Sequence, residues 1–97
     1  RLENMMWMTL LVYDYIIPEV RRMSKMQITF KNPEEIVAFV NTVSKYDFDM
    51  DMRKGRAVVD AKSLLGIMHL GLNNVIELQM YSDQCEELQK ELEKYAA

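Results

Sequence analysis

The stretch "SKYDFDMDMRKGRAVVDAKSLLGIMHLGL", Ser44 to Leu72, decides how this chain folds. Its "DFDMDM" segment alternates: Phe48, Met50 and Met52 fall on one side, and Asp47, Asp49 and Asp51 on the other. Period-two alternation marks a strand with one face in the core and the other in water. "RKGR" then turns the chain at Gly55, and "AVVD" returns as the partner strand of a hairpin. Ser63 stands directly before "LLGIMHL", an apolar run with helical spacing that stops at Gly71. Serine caps helix N-termini and glycine ends helices, so this is a short helix with both ends marked.

Upstream, "MQITFK" from Met26 to Lys31 reads as a strand, followed by "NPEEIVAFVNTVSKY". Asn32 is an N-cap, Pro33 suits the first helical position, and Glu34 and Glu35 favour the positive helix end. Ile36, Phe39, Val40 and Val43 recur at helical spacing and form one buried face. Downstream, "IELQM" alternates with Ile76, Leu78 and Met80 inward. The last helix aligns Cys85, Leu88, Leu92 and Tyr95 on one stripe. The order β-α-β-β-α-β-α predicts an α+β domain: a four-stranded, mainly antiparallel sheet with helices on one face.

The chain has 97 residues, enough for one small domain, and 49% of them are hydrophobic. A single cysteine, Cys85, excludes an internal disulfide and fits a reducing compartment. A net charge of −3 gives no nucleic-acid footprint. There is no metal-ligand spacing of Cys and His, no P-loop and no dinucleotide fingerprint, so no metal, cofactor or enzymatic activity is expected. Asp47, Asp49 and Asp51 could suggest a cation site, but carboxylates about 7 Å apart along a strand more often make a solvated face. The longest apolar stretch, Met5 to Ile17, is too short for a membrane span and contains Asp14. It also lacks the small-residue cleavage site of a signal peptide. A cytoplasmic protein with no transmembrane segment is the expectation.

Within the opening stretch, "DAKSLLGIMHLG", Asp60 to Gly71, resembles the regulatory serine and short apolar helix of the HPr family, the phosphocarriers of the bacterial sugar phosphotransferase system. The likeness runs from about Asn32 to Met80 and implies the family's open-faced β-sandwich, in agreement with the element order. HPr proteins carry phosphate on the histidine of a His-Ala-Arg-Pro motif before the first helix. Here that stretch reads "NPEE": Asn32 stands in place of the histidine and Glu34 in place of the arginine. An amide nitrogen is not nucleophilic, and a carboxylate repels a phosphoryl group that a guanidinium would clamp. Carrier function is therefore not expected. The only histidine, His69, lies six residues after Ser63 and reads as an ordinary helix histidine.

The resemblance implies phosphorylation of Ser63 by the bifunctional HPr kinase/phosphorylase, docking on Leu64, Leu65 and Met68. A catabolite-repression paralogue in bacilli likewise lacks the histidine and keeps the serine. Its repressor partner uses the carrier-site arginine, here Glu34, which argues against that partner. The alternative is a diverged interaction domain in which Ser63 is only a helix cap.

Residues 1–25 differ in character and are set apart from a domain over 26–97. Between residues 4 and 17 they fit a helix apolar on two sides, with Met5, Met8, Val12, Tyr15 and Ile16 on one and Trp7, Leu10 and Leu11 on the other. Pro18 stops it, and a basic patch of Arg21, Arg22 and Lys25 follows. Two apolar faces call for two partners, so a homodimer through residues 1–25 or contact with a membrane surface is an expectation. Met26 is also a candidate translation start, which would make the segment an extension outside the native chain.

Overall fold

The computed structural model describes residues 23–97. The helix expected over residues 4–17, and the dimer contact expected of it, lie outside the described residues. In chain order the elements are strand β1 Met23–Ile28, helix α1 Pro33–Val43, strands β2 Met50–Lys54 and β3 Ala57–Asp60, helix α2 Leu64–Leu70, strand β4 Ile76–Tyr81 and helix α3 Glu86–Leu92, with a 3-10 turn over Glu93–Tyr95. The sheet order is β1-β4-β2-β3, and all three pairings are antiparallel. This is the α+β arrangement expected from the element order.

The hairpin turns on Gly55, whose φ of 59° sits at the first position of a two-residue loop closed by Lys54 and Ala57. A side chain there would be strained, so glycine belongs at that position. α1 buries Ile36, Phe39 and Val43, and the α3 stripe buries Cys85, Leu88, Leu92 and Tyr95. Against them the sheet buries Ile28, Met50, Met52, Ile76, Leu78 and Met80. Phe30, Phe39 and Tyr95 form an aromatic centre with ring centroids 5.1, 5.6 and 6.0 Å apart. Tilted and edge-on pairs of this kind add to the free energy of burial.

Two strands start elsewhere than the sequence suggests. β1 begins at Met23 and ends at Ile28, so Met23–Lys25 belong to the sheet. The six residues of β4 set this register, pairing Met23 with Tyr81 and Ile28 with Ile76. Beyond Ile28 the chain bonds elsewhere: Thr29 N–H donates to Tyr95 O and Asn73 N–H to Phe30 O. Ala96 bridges Ile28 and Ala97 N–H donates to Gln27 O, covering that end of the β1 edge. β2 begins only at Met50. Before it, Phe48 is half-buried against Tyr46, with centroids 5.7 Å apart.

The face away from the helices is mostly polar and internally bonded, with Val58 exposed at its β3 edge opposite Arg53. Lys25 lies 3.9 Å from Glu77, Gln79 donates to Glu77 at 2.5 Å, and Tyr81 donates to Asp51 at 2.7 Å. Lys25, expected in a basic patch with Arg21 and Arg22, is thus a strand residue beside an acidic partner.

Candidate functional site

Two helix starts carry the residues singled out in the sequence. At α1, Asn32 adopts extended backbone angles and its Oδ1 accepts the Glu35 N–H at 2.9 Å. Glu35 Oε1 in turn accepts the Lys31 N–H at 2.6 Å. The asparagine cap satisfies one of the backbone donors that a helix start would otherwise leave free, and Glu35 ties down the N–H of the residue before the cap. Glu34 is exposed in the same turn. The first turn thus presents a capping amide and two carboxylates.

At α2, Ser63 is half-buried and its Oγ accepts the Gly66 N–H at 3.2 Å. Its own N–H donates to Asp60 O at 3.0 Å. Asp60 Oδ1 accepts the Lys62 N–H at 2.9 Å, and Lys62 Nζ reaches Tyr46 O at 2.6 Å. A Cβ on Gly66 would lie 3.0 Å from Val59 Cβ, so the glycine lets the start of α2 settle directly on β3. Ser63 therefore sits at a hydrogen-bonded corner between β3 and α2, with the Lys62 cation and the Asp60 carboxylate close by in sequence.

The expected docking trio divides. Leu64 is half-buried and packs on the core, one helical step from Ile67. Leu65 is 81% exposed and Met68, three residues on, 39% exposed. Residues three apart share a helix face, so Leu65 and Met68 form the outer apolar patch and Leu64 belongs to the inner stripe. His69 is exposed in the last turn of α2, on a different element from Asn32.

The three aspartates do not share one strand face. Asp47 and Asp49 precede β2, and Asp51 alone lies in it. Asp51 accepts from the Tyr81 hydroxyl and lies 3.4 Å from Arg53 Nη2. Burial, then the hydrogen bond to this carboxylate, push the Tyr81 phenol above its usual range. Among the described residues no three His, Cys, Asp or Glu side chains gather as a metal site would require. The Asp51–Tyr81 pair joins residues thirty apart in sequence, and no local pattern announces it. The Asn32 cap, by contrast, is legible in "NPEE", where an asparagine directly precedes a proline at the first helical position.

The family model described as "PTS HPr component phosphorylation site" matches residues 27–97. An HPr-C-His protein from Thermoanaerobacter tengcongensis is similar at 33% identity, with 73% of this chain and 85% of that one aligned and a TM-score of 0.60. The phosphocarrier protein HPr of Bacillus anthracis is similar in fold, with a TM-score of 0.63 over 77% of this chain and 98% of that one, at 22% identity.

Proposed function

Because this chain belongs to the HPr family of the phosphotransferase system, we propose that it is a regulatory and interaction member that does not carry phosphohistidine and is phosphorylated on Ser63. The observation that carries this reading is the contrast between the two helix starts. Asn32 is tied up as the cap of α1 beside Glu34 and Glu35, whereas Ser63 sits beside the exposed Leu65 and Met68. The proposed partner is HPr kinase/phosphorylase, which would transfer the γ-phosphoryl group of ATP to Ser63 Oγ and release ADP as the hydroxyl proton leaves. The phosphate would meet helix N–H groups and the Lys62 cation, partly opposed by the Asp60 carboxylate. The role is that of a modified partner, not a catalyst. A cytoplasmic location belongs to the same reading; no helix among the described residues is long and apolar enough to cross a membrane.

A second reading is favoured by the bond from Gly66 N–H to Ser63 Oγ: the serine is a cap alone, in a diverged interaction domain. A kinase assay separates the two. With HPr kinase and ATP, the intact chain should gain one phosphate that Ser63→Ala loses, and Leu65→Glu with Met68→Glu should suppress the reaction. With phosphoenolpyruvate and enzyme I, no acid-labile phosphohistidine should form. A cognate kinase that modifies an ordinary HPr and leaves this folded chain untouched would refute the regulatory reading.

A further inference from the structure

We propose that the outer edge of β3 pairs with itself: two copies of the chain join antiparallel along Ala57–Asp60, about a two-fold axis at Val58, and their sheets become continuous. β3 stands last in the sheet order, so one of its sides meets no strand of the described residues. Across the β2–β3 pair, Ala61 N–H donates to Met50 O. Backbone groups alternate in direction along a strand, so Ala57 and Val59 bond to β2, whereas Val58 and Asp60 turn their groups outward. Along that outer side the described residues supply one bond, from Ser63 N–H to Asp60 O. An edge left open in this way is a template for a further strand. The opposite edge, on β1, is covered at one end by Ala96 and Ala97.

The residues of the β3 edge select a second copy as the occupant, because they are complementary to themselves. Val58 and Asp60 lie on the outer face of the sheet, opposite Arg53 and Asp51 of β2. Arg56, exposed in the turn, continues their row by one step of two residues. Antiparallel pairing must match outward-turned residues with outward-turned residues. With Val58 opposite Val58 of the second copy, Arg56 falls opposite Asp60 and Asp60 opposite Arg56. Two ion pairs then flank one valine pair, and opposed charges and β-branched pairs both favour a strand pairing. Moving the second copy by two residues sets Val58 against Asp60 or against Arg56 and breaks both ion pairs.

The charges already present at that end of the sheet point the same way. Asp60 stands directly opposite Asp51, and like charges face to face destabilise a strand pair. The cleft beside them is lined by Asp49, Asp51 and Asp60, with Lys62 the one cation among its lining residues. Arg56 of the second copy would bring a further cation to this place.

Other exposed apolar side chains do not offer the same surface. Among the described residues Val37, Leu65 and Met68 lie on helices, whose backbone groups bond internally, and Val75 lies in the loop before β4. Val58, 52% exposed, joins an apolar side chain to open backbone groups on a strand edge. β3 contributes far fewer residues than the roughly 20 a side of a standard interface, so the dimer forms reversibly.

Sedimentation equilibrium of the full chain, carried to about 1 mM where weak pairs are populated, tests the proposal. No kinase enters, so its failure is distinct from failure of the phosphorylation reading. The mass should rise with concentration. Val58→Pro should abolish the rise, because the lost N–H points away from β2 and the β2–β3 ladder keeps its bonds. Arg56→Glu and Asp60→Lys should each lose self-association, since like charges then meet twice. An equimolar mixture of these two variants should recover it, because the two altered residues face each other and an unaltered Arg56–Asp60 pair remains. Far-UV circular dichroism checks that each variant is folded. Three outcomes overturn the proposal: a mass that stays constant with concentration, which would leave the edge to a strand of another protein, association that survives Val58→Pro, or a mixture that associates no more than its two components.

Discussion

Replacing Gly66 by alanine sets two effects of opposite sign against each other. Within a helix alanine is favoured over glycine by about 1 kcal/mol. Here the new methyl would stand 3.0 Å from Val59 Cβ, 3.2 Å from Ser63 Oγ and 3.4 Å from Val59 Cγ1. Carbon atoms pack best at about 3.5–4.0 Å, so the methyl arrives roughly half an ångström too close. Val59 Cβ is attached to the backbone of β3, and no rotamer moves it away. β3 is itself held to β2 through the Met52–Val59 pair. α2 must tilt outward, and the Ser63 cap weakens with it. Overpacking of this kind costs about 1–3 kcal/mol. Subtracting the propensity gain leaves a net loss of about 1 kcal/mol, or a fall in Tm of about 4–8 °C for a domain of this size. Urea and thermal unfolding of the Gly66→Ala protein measure this directly. A gain of about 1 kcal/mol would show that α2 does not approach β3 as described. Val59→Ala should not rescue the double variant, because it removes Cγ1 and keeps Cβ.

Ser63→Ala should cost about 0.5–2 kcal/mol through loss of the cap, while Ser63→Asp should be nearly neutral because aspartate caps well and its charge suits the helix start; equal losses for both in denaturant titrations would contradict the cap geometry. Asn32→His should still fail to accept phosphate from phosphoenolpyruvate, since Glu34 and Glu35 remain in the first turn; a phosphohistidine in that variant would show that the two carboxylates are no barrier. Burial first, and then the Glu35 carboxylate, hold the Tyr95 phenol above its ordinary value of 10.0. The folded protein therefore keeps this proton longer than the unfolded chain. The stability that goes with it is complete below about pH 10 and is lost as pH rises through the folded value. Tyr95→Phe should flatten this alkaline decline, and unfolding followed across pH 9–12 checks it.

Much of the fold follows from local pattern. The 3.6-residue spacing of Ile36, Phe39, Val40 and Val43 and the alternation of Ile76, Leu78 and Met80 each name an inward face; all are buried but Val40, which is half-buried against the core. Asn32 and Ser63 cap the helices they precede, and Gly71 ends α2 with a φ of 89°. Side-chain periodicity and backbone capping act within a few residues, so they are written in consecutive letters. What local pattern leaves open depends on pairing across distance. β1 starts at Met23 and not Met26 because β4 supplies six partners. Leu64 and Leu65, alike in sequence, part company because α2 lies on β3 with Gly66 against Val59, turning one leucine to the core and its neighbour to water. Asp51 leaves the company of Asp47 and Asp49 because Tyr81, brought alongside by the β2–β4 pairing, donates to it. In each case the deciding contact comes from an element more than a few residues away, and only the assembled sheet places it there.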